Sequence, residues 1–232
     1  MSYRFELKYY LKSELLNLVL SDLMKFCELD KFCDKEKKFY TVNSIYMDNH
    51  QMNSYREKIA GKKNRTKIRF RNYQNTTNEN INKYNLELKI RSADKLKKLS
   101  TELNFPELAP KENLIKKKNF VLRFVALMEK FENYKKKVFI SYDRIALFEK
   151  KNRKLRFTID KNLYARKYIS DNNYGMKVKF VPNNYKILEI KTDKSIPFWF
   201  SYIIKKYGLM KMPISKYALA VQSLSYIYSL EL

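Results

Sequence analysis

The sequence predicts an α+β fold, in which an antiparallel β-barrel with a charged interior is surrounded by amphipathic helices. Several short segments alternate between charged and apolar residues with the two-residue period of a β-strand. Longer segments place apolar residues at helical spacing and need an apolar surface to cover. Charges in water and apolar residues inside are the ordinary arrangement of such strands. Their polar faces, however, repeat Arg and Lys with single Glu or Asp residues, which favours charges inside.

Composition narrows the class of partner. The 232 residues include 45% hydrophobic and 15% aromatic residues, which is enough for one folded domain over residues 1–232. The 49 Lys and Arg residues outnumber the 24 Asp and Glu residues, giving a net charge of +25 that attracts polyanions such as nucleic acid, anionic lipid or phosphate-rich small molecules. AT-rich coding would raise the Lys content as well, so the charge alone is not specific. The two cysteines form no CxxC motif, so neither a zinc site nor a disulfide framework is indicated.

The N-terminal half is predicted to begin with a strand over residues 4–9 and a helix over 13–29 with Ser13 as its N-cap. Residues 40–48 are predicted as a strand, and 49–59 as a turn and short helix before Gly61. Residues 65–71 and 85–91 form the two most regular strands, joined by a polar loop over 72–82.

The C-terminal half begins with residues 94–111, which contain Pro106 and Pro110 and are predicted as an irregular connection. A second long helix is expected over 111–135. Strands follow over 138–146, 155–160, 176–181 and 187–191, then helices over 197–207 and 215–228. No signal peptide is expected at the N-terminus, and the longest apolar stretch is too short to span a bilayer, so we expect a cytoplasmic protein.

A charged interior imposes a physical requirement. Buried like charges repel one another and lose hydration unless an anion lies among them. A row of phosphates suits them, because Arg forks and Lys ammonium groups match phosphoryl oxygens. The scattered carboxylates then have a use as oxygen ligands of Mg²⁺ or Mn²⁺ that bridge those phosphates.

Eight short motifs extend over nearly the whole chain: RFELKYY at 4–10, SIYMDN at 44–49, KIRFR at 67–71, ELK at 87–89, SYDR at 141–144, RFTID at 156–160, LEIK at 188–191 and SKY at 215–217. With these motifs in this order, the sequence resembles the VTC domain, the polyphosphate polymerase branch of the CYTH or triphosphate tunnel metalloenzymes. The resemblance implies an antiparallel tunnel of about eight strands with helices around it. It also implies transfer of the γ-phosphoryl group of ATP onto a growing polyphosphate chain, with Mn²⁺ or Mg²⁺ as cofactor.

The resemblance assigns roles to residues of this sequence. The basic catalytic ligands of the phosphates would be Lys8, Arg69, Arg71, Lys89, Arg144 and Lys216. Further substrate phosphate-binding residues on the same strand faces would be Lys67, Arg91, Tyr142, Arg156 and Lys191. Glu189 would hold the metal, with Glu6 and Glu87 as additional carboxylates. Because phosphoryl transfer needs mainly positioning and charge neutralisation, no nucleophilic triad is required.

One motif departs from the family pattern. Pro213 stands where the family often has a second lysine, for which Lys211 is a candidate substitute. The eukaryotic members carry membrane helices that this chain lacks, so we expect a stand-alone, bacterial catalytic domain. A membrane partner on another chain stays open.

Two other functions also stay open. A tunnel triphosphatase acting on inorganic, nucleoside or RNA 5′ triphosphate is the first alternative. The second is a non-catalytic module that binds polyphosphate or, less in keeping with the motifs, nucleic acid.

Overall fold

The computed structural model describes residues 5–74, 83–93, 95–104 and 119–228. Within these ranges the alternating segments form twelve strands: β1 (Phe5–Lys12), β2 (Cys27–Leu29), β3 (Tyr40–Asp48), β4 (Arg65–Gln74), β5 (Lys83–Ser92), β6 (Lys95–Asn104), β7 (Lys135–Glu149), β8 (Arg156–Ser170), β9 (Asn173–Tyr174), β10 (Val178–Lys179), β11 (Tyr185–Thr192) and β12 (Met210–Lys211). The described α-helices are α1 (Leu16–Phe26), α2 (Asn53–Ile59), α3 (Phe120–Phe131), α4 (Phe198–Lys206) and α5 (Lys216–Tyr228).

The strands form one large antiparallel sheet in the order β12-β1-β11-β8-β7-β3-β4-β5-β6. Off this path, β2 pairs with β7, and β9 and β10 pair with β8. The predicted α+β class and antiparallel pairing are therefore confirmed. The described strands exceed the expected number of about eight, because several short strands extend the sheet.

The predicted closed barrel is not confirmed, since no ladder among the described residues joins β6 to β12. The sheet is nevertheless strongly curved. In the strand order β1 and β5 are six strand spacings apart, about 29 Å in a flat sheet. Yet Lys89 Nζ of β5 lies 3.2 Å from Glu6 Oε2 of β1. The charged face is therefore the concave face of an open, curled sheet.

The convex face is apolar, and helices cover it as the sequence predicts. Val121 and Val125 of α3 pack on Ile68 and Phe70 of β4. The helix begins at a cap in which the side chain of Asn119 accepts hydrogen bonds from the first backbone N–H groups. Helices α1 and α4 cover β1, β8 and β11 in the same way. Burial of these apolar faces fixes which strand face is left for the charges.

Helix α5 packs on the concave side instead. Its buried residues Tyr217, Val221 and Leu224 lie in one cluster with Tyr46 and Ile140. Tyr46 is opposite Arg69 in the β3–β4 register, so it shares the charged face. The helix therefore fills one end of the concave face and brings its first residue, Lys216, to the charges.

Two helix predictions were wrong at their ends. Residues 13–15 form a 3₁₀ turn before α1, and residues 27–29 leave the helix to pair with β7 as β2. Ser13 does not act as an N-cap, because its hydroxyl donates to the carbonyl of Asn183 at 2.6 Å. The second long helix ends at Phe131, because the chain turns there into β7. Its predicted start lies outside the described residues.

The predicted connection over 94–111 was wrong for residues 95–104, which form β6 and pair along their whole length with β5. Ala93 adopts a φ of 51° in the tight turn between the two strands. The prolines that suggested a connection lie beyond the end of β6, outside the described residues. The expected strand over 176–181 is reduced to β10, whereas β7 and β8 extend further than expected.

None of the helices in the described ranges combines the length and hydropathy that a membrane span requires.

Candidate active site

A buried carboxylate joins two of the predicted basic ligands on the concave face. The guanidinium of Arg144 on β7 donates to Asp160 of β8 at 2.7 and 2.9 Å. Lys216 Nζ, at the start of α5, lies 2.6 Å from the same carboxylate. Burial alone would raise the pKa of the Asp160 carboxyl, but Arg144 and Lys216 hold it below its usual value. Asp160 was not predicted as a site residue, because its role depends on the β7–β8 register.

Glu189 on β11 forms a second group with three lysines. Lys191 Nζ lies 3.1 Å from its carboxylate and Lys216 Nζ lies 3.8 Å from it. Lys8 is directly opposite in the β1–β11 register. Burial would raise the pKa of Glu189, but Lys191, Lys8 and Lys216 hold it well below its usual value. The carboxylate is therefore ionised and already surrounded by cations.

Glu87 on β5 is the centre of a third group. Arg69 donates to it through Nε at 2.7 Å, and its Nη2 lies 2.6 Å from the same oxygen. Lys98 Nζ lies 2.8 Å from the other oxygen, and Arg71 Nη1 approaches to 3.8 Å. Lys98 was missed because it lies on β6, in a segment whose prolines predict an irregular connection.

Three contacts across the concave side bring these groups together. Lys8 Nζ of β1 donates to the carbonyl of Ile214 at 3.0 Å. Lys67 Nζ of β4 donates to the hydroxyl of Ser215 at 3.2 Å. The ion pair of Lys89 with Glu6 links β5 to β1. All six residues predicted as basic catalytic ligands therefore line one concave face.

Two tyrosines lie among the arginines. Tyr142 Oη accepts a hydrogen bond from Arg144 at 3.3 Å and a long one from Arg71 at 3.5 Å. Tyr46 Oη accepts from Arg69 Nη1 at 2.8 Å. Burial would raise the pKa of Tyr46, but Arg69 and its cationic neighbours lower it to about 7. Tyr142 was predicted; Tyr46 was missed, although it lies within the SIYMDN motif at 44–49.

Two predicted phosphate-binding residues lie at the ends of the site. Arg156 Nη2 is 3.3 Å from Asp30, and its guanidinium lies 4.4 Å from the centre of the Phe148 ring. Arg91 is at the end of β5, where its Nε donates to the carbonyl of Ala93 at 3.1 Å.

Lys211 does not replace the lysine that the family has at the Pro213 position. It is opposite Tyr9 in the β1–β12 register, and Tyr9 packs in the core under α1 and α4. Neighbouring residues of paired strands face the same side of a sheet, so Lys211 faces away from the charges.

Comparison with protein families gives a match over nearly the whole chain. A model of the VTC domain matches residues 3–225. This chain belongs to the VTC domain family.

Two solved structures share the fold of this VTC domain. One is a candidate adenylate cyclase from Bacillus halodurans, with 12% identity, a TM-score of 0.55, and coverage of 93% of this chain and 96% of that one. The other is a candidate adenylate cyclase from Vibrio parahaemolyticus, with 12% identity, a TM-score of 0.50, and coverage of 95% and 98%. At this identity the likeness shows the fold alone. No curated protein matches the chain.

The carboxylates of the VTC domain differ in how well they suit a divalent metal ion. The described residues contain no group of three metal-ligating side chains. Mg²⁺, however, is usually bound by one or two carboxylates, with substrate phosphates and waters as its other ligands. Glu189 and Glu6 suit this mode, because the β1–β11 register makes them diagonal neighbours on one face of the sheet. Glu87 suits it less, because its two oxygens are already bonded to Arg69 and Lys98.

The same face carries more positive than negative charge. Burial lowers the pKa of Lys67 and of Lys191 to about 8, and Glu189 only partly opposes the shift at Lys191. Burial also lowers the pKa of Lys8. Burial therefore disfavours the charged form of these lysines more than the neighbouring acidic groups favour it.

Proposed function

We propose that this VTC domain is a polyphosphate polymerase that transfers the γ-phosphoryl group of ATP onto a growing polyphosphate chain. The observation that supports the proposal is the convergence of basic side chains from β1, β4, β5, β7, β11 and α5 on one concave face. Their ligands would be ATP and polyphosphate, in the cytoplasm, where ATP is available.

The proposed chemistry depends on positioning and on charge. Phosphoryl transfer spreads negative charge over the transferred group and its neighbours, so fixed cations stabilise the transition state. Arg144 is held in one orientation by the two hydrogen bonds that it donates to Asp160, and Arg69 by the hydrogen bond that it donates to Glu87. Lys216 lies between Asp160 and Glu189 and is free to exchange one carboxylate for a phosphate oxygen.

Glu189, with Glu6, would hold Mn²⁺ or Mg²⁺ beside the phosphates. Such an ion neutralises charge on the phosphate oxygens and orients them for displacement. The three lysines around Glu189 would then contact the phosphates rather than the carboxylate alone.

Polymerase is favoured over triphosphatase by the first strand and by family membership. The strand β1 has one glutamate, Glu6, before Lys8. Hydrolytic relatives typically have two glutamates before the corresponding lysine. The VTC match covers the whole set of strands that carry the site.

The decisive assay combines the protein with ATP and Mn²⁺, with and without a short polyphosphate primer, and measures chain length on a gel. We expect a ladder that grows for the wild type and is lost for Lys89→Ala and Glu189→Ala. Lys211→Ala is the matched control, because that lysine faces away from the site. Thermal unfolding of each variant separates loss of activity from loss of the fold.

Other products in this assay would contradict the proposal and indicate a different function. Free phosphate without a ladder would establish a triphosphatase, and cyclic AMP would establish the activity named for the two structural neighbours. Tripolyphosphate binding without any product would establish a binding module.

A further inference from the structure

Aromatic side chains form an exposed surface on the convex side, where α1 meets α4. The ring of Phe26 stacks on that of Trp199, with centroids 4.4 Å apart and planes 10° apart. Phe198 is 90% exposed and Tyr202, one turn further along α4, is 63% exposed. The opposite side of α4, with Phe200 and Ile203, already supplies the buried contacts of this helix. The core therefore does not account for the outward-facing aromatic residues.

Lysines border this aromatic surface (Phe26, Phe198, Trp199 and Tyr202). Lys150 Nζ donates to the carbonyls of Met24 and Lys25 at 3.2 Å each, which places it beside the end of α1. Lys205 is exposed and lies one turn beyond Tyr202, and Lys194 is exposed in the segment before α4.

The carboxylates near the aromatic surface are already bonded. Asp22 lies 2.6 Å from both Lys25 and Lys206. Glu149 accepts a hydrogen bond from Trp199 Nε1 at 3.0 Å. The charge that this region offers to a partner is therefore positive.

We propose that the aromatic surface docks on an anionic lipid bilayer. The exposed ring of Tyr202 combines an apolar body with a polar tip and suits the boundary between headgroups and acyl chains. Lysine stems extend along apolar surface while their ammonium groups reach the lipid phosphates. A helix that lies flat, with aromatic residues outward and lysines at its border, binds the plane of such an interface. Because the surface is convex, docking leaves the concave active site free.

The chain provides its own probe of docking. Trp199 is the single tryptophan, and it lies within the aromatic surface. The experiment titrates the protein with vesicles of phosphatidylglycerol and phosphatidylcholine, and with vesicles of phosphatidylcholine alone. We expect co-sedimentation and a blue shift of the emission with the anionic vesicles only. We also expect quenching by lipids with brominated acyl chains, and binding that weakens as salt is added.

Two sets of variants separate the apolar and the charged contributions. The double variant Phe198→Ser with Tyr202→Ser is expected to weaken vesicle binding about tenfold or more, because it removes most of the exposed aromatic area. Lys194→Gln with Lys205→Gln is expected to weaken it about 25-fold, since each lysine near an anionic surface contributes about a factor of five. Tyr226→Ser is the matched control, because Tyr226 is 92% exposed on α5, away from this surface. Tripolyphosphate binding should be unchanged in all of them.

Four results would overturn the proposal. The first is absence of vesicle binding. The second is binding that the Phe198 and Tyr202 substitutions leave intact. The third is binding that tripolyphosphate competes away, because the lipid phosphates would then occupy the concave site. The fourth is a shift of Trp199 emission with protein concentration in the absence of lipid, which would identify a second copy of the chain as the occupant.

Discussion

Asp160 accepts both hydrogen bonds that the guanidinium of Arg144 directs at it, at 2.7 and 2.9 Å, on the concave face of the sheet. The carboxylate is fully buried and also contacts Lys216. It therefore cannot contact a substrate in this arrangement and instead fixes two cations that can. One anion between two cations leaves a positive site whose geometry is already set before any phosphate binds.

Replacement of this carboxylate should destabilise the protein in a way that phosphate reverses. In Asp160→Asn the two buried cations lose their anionic partner, which typically costs about 3–5 kcal/mol. Saturating tripolyphosphate should restore more stability to the variant than to the wild type, because it supplies the missing negative charge. Thermal unfolding with and without tripolyphosphate measures both effects.

The matched control is Glu28→Gln, which removes an exposed ion pair with Arg153. Such surface pairs contribute about 0–1 kcal/mol, so the control should unfold close to the wild type. Equal destabilisation of the two variants, or no greater gain from tripolyphosphate in Asp160→Asn, would contradict the role assigned to Asp160.

Lys216 and Lys211 give a direct comparison of an inward and an outward lysine near the same end of the chain. Lys216→Met should weaken tripolyphosphate binding by about 10- to 150-fold, the effect of losing one charge-assisted hydrogen bond. Lys211→Met should have little effect, because its strand register directs it away from the site. Isothermal titration calorimetry at fixed salt measures both affinities. Equal losses would show that general charge, rather than position, governs binding.

Much of the fold could be predicted because hydrophobic period and charge agree along the strands. Tyr40–Asp48 was predicted with both ends correct, and the alternating residues of β4 and β5 gave the correct inner face. The strand β6 was missed for a local reason. Leu96 falls on the same face as Lys98, which interrupts the alternation, and the nearby prolines suggested a loop.

The arrangement of the site was less accessible than its residues. Motifs identified the basic side chains, but the pairing of Arg144 with Asp160 depends on a bulge between Ser141 and Asp143 in the β7–β8 ladder. The contact of Lys89 with Glu6 depends on curvature of the whole sheet. Neither property is encoded within one segment, so the sequence identified the basic residues of the candidate site without showing which carboxylate orients each of them.

Polyanion binding should weaken between pH 7 and pH 9. Lys67 and Lys191 have pKa values of about 8, so both lose their positive charge over this interval. Bound phosphate favours the protonated lysine, so each should contribute about a tenfold loss of affinity across the interval. Calorimetry of tripolyphosphate binding at both pH values, in buffers of different ionisation enthalpy, measures the affinity and the protons taken up. An affinity independent of pH would show that these lysines do not contact the ligand.

The ligand-free protein should show the opposite trend in stability. The pKa values of Lys67 and Lys191 are lowered from 10.5 in the folded state, and that of Tyr46 is lowered from 10.0 to about 7. Between the folded and unfolded values the unfolded chain binds more protons, so the free energy of unfolding rises with pH. The stability that the two lysines contribute is complete at pH values above their unfolded-state pKa of 10.5. It is lost as the pH falls through their folded-state pKa of about 8.

Denaturant unfolding between pH 7 and pH 9 measures this trend. Each group contributes at most about 1.4 kcal/mol per pH unit. The slope should be smaller in Lys67→Met, which removes one of the three groups. A flat or falling stability curve over this interval would contradict the charge imbalance assigned to the concave face.

Tyr217 should control both the stability of α5 and the position of Lys216. Its hydroxyl donates to Asp48 Oδ2 at 2.7 Å, and its ring stacks on Tyr46 with centroids 4.9 Å apart. Asp48 is fully buried and also accepts from the backbone N–H groups of Asn49, Ser54 and Tyr55. Tyr217→Phe keeps the ring and removes one donor to this carboxylate, which should cost about 1–3 kcal/mol of stability.

The functional effect of Tyr217→Phe follows from its place beside Lys216. Without the hydrogen bond to Asp48, the first turn of α5 is held less firmly, and Ser215 and Lys216 with it. We expect weaker tripolyphosphate binding by several-fold, less than for loss of the Lys216 charge itself. Tyr226→Phe, a change at an exposed position of the same helix, is the control. If Tyr217→Phe lost stability but bound tripolyphosphate as the wild type does, Lys216 would be positioned by Asp160 and Glu189 alone.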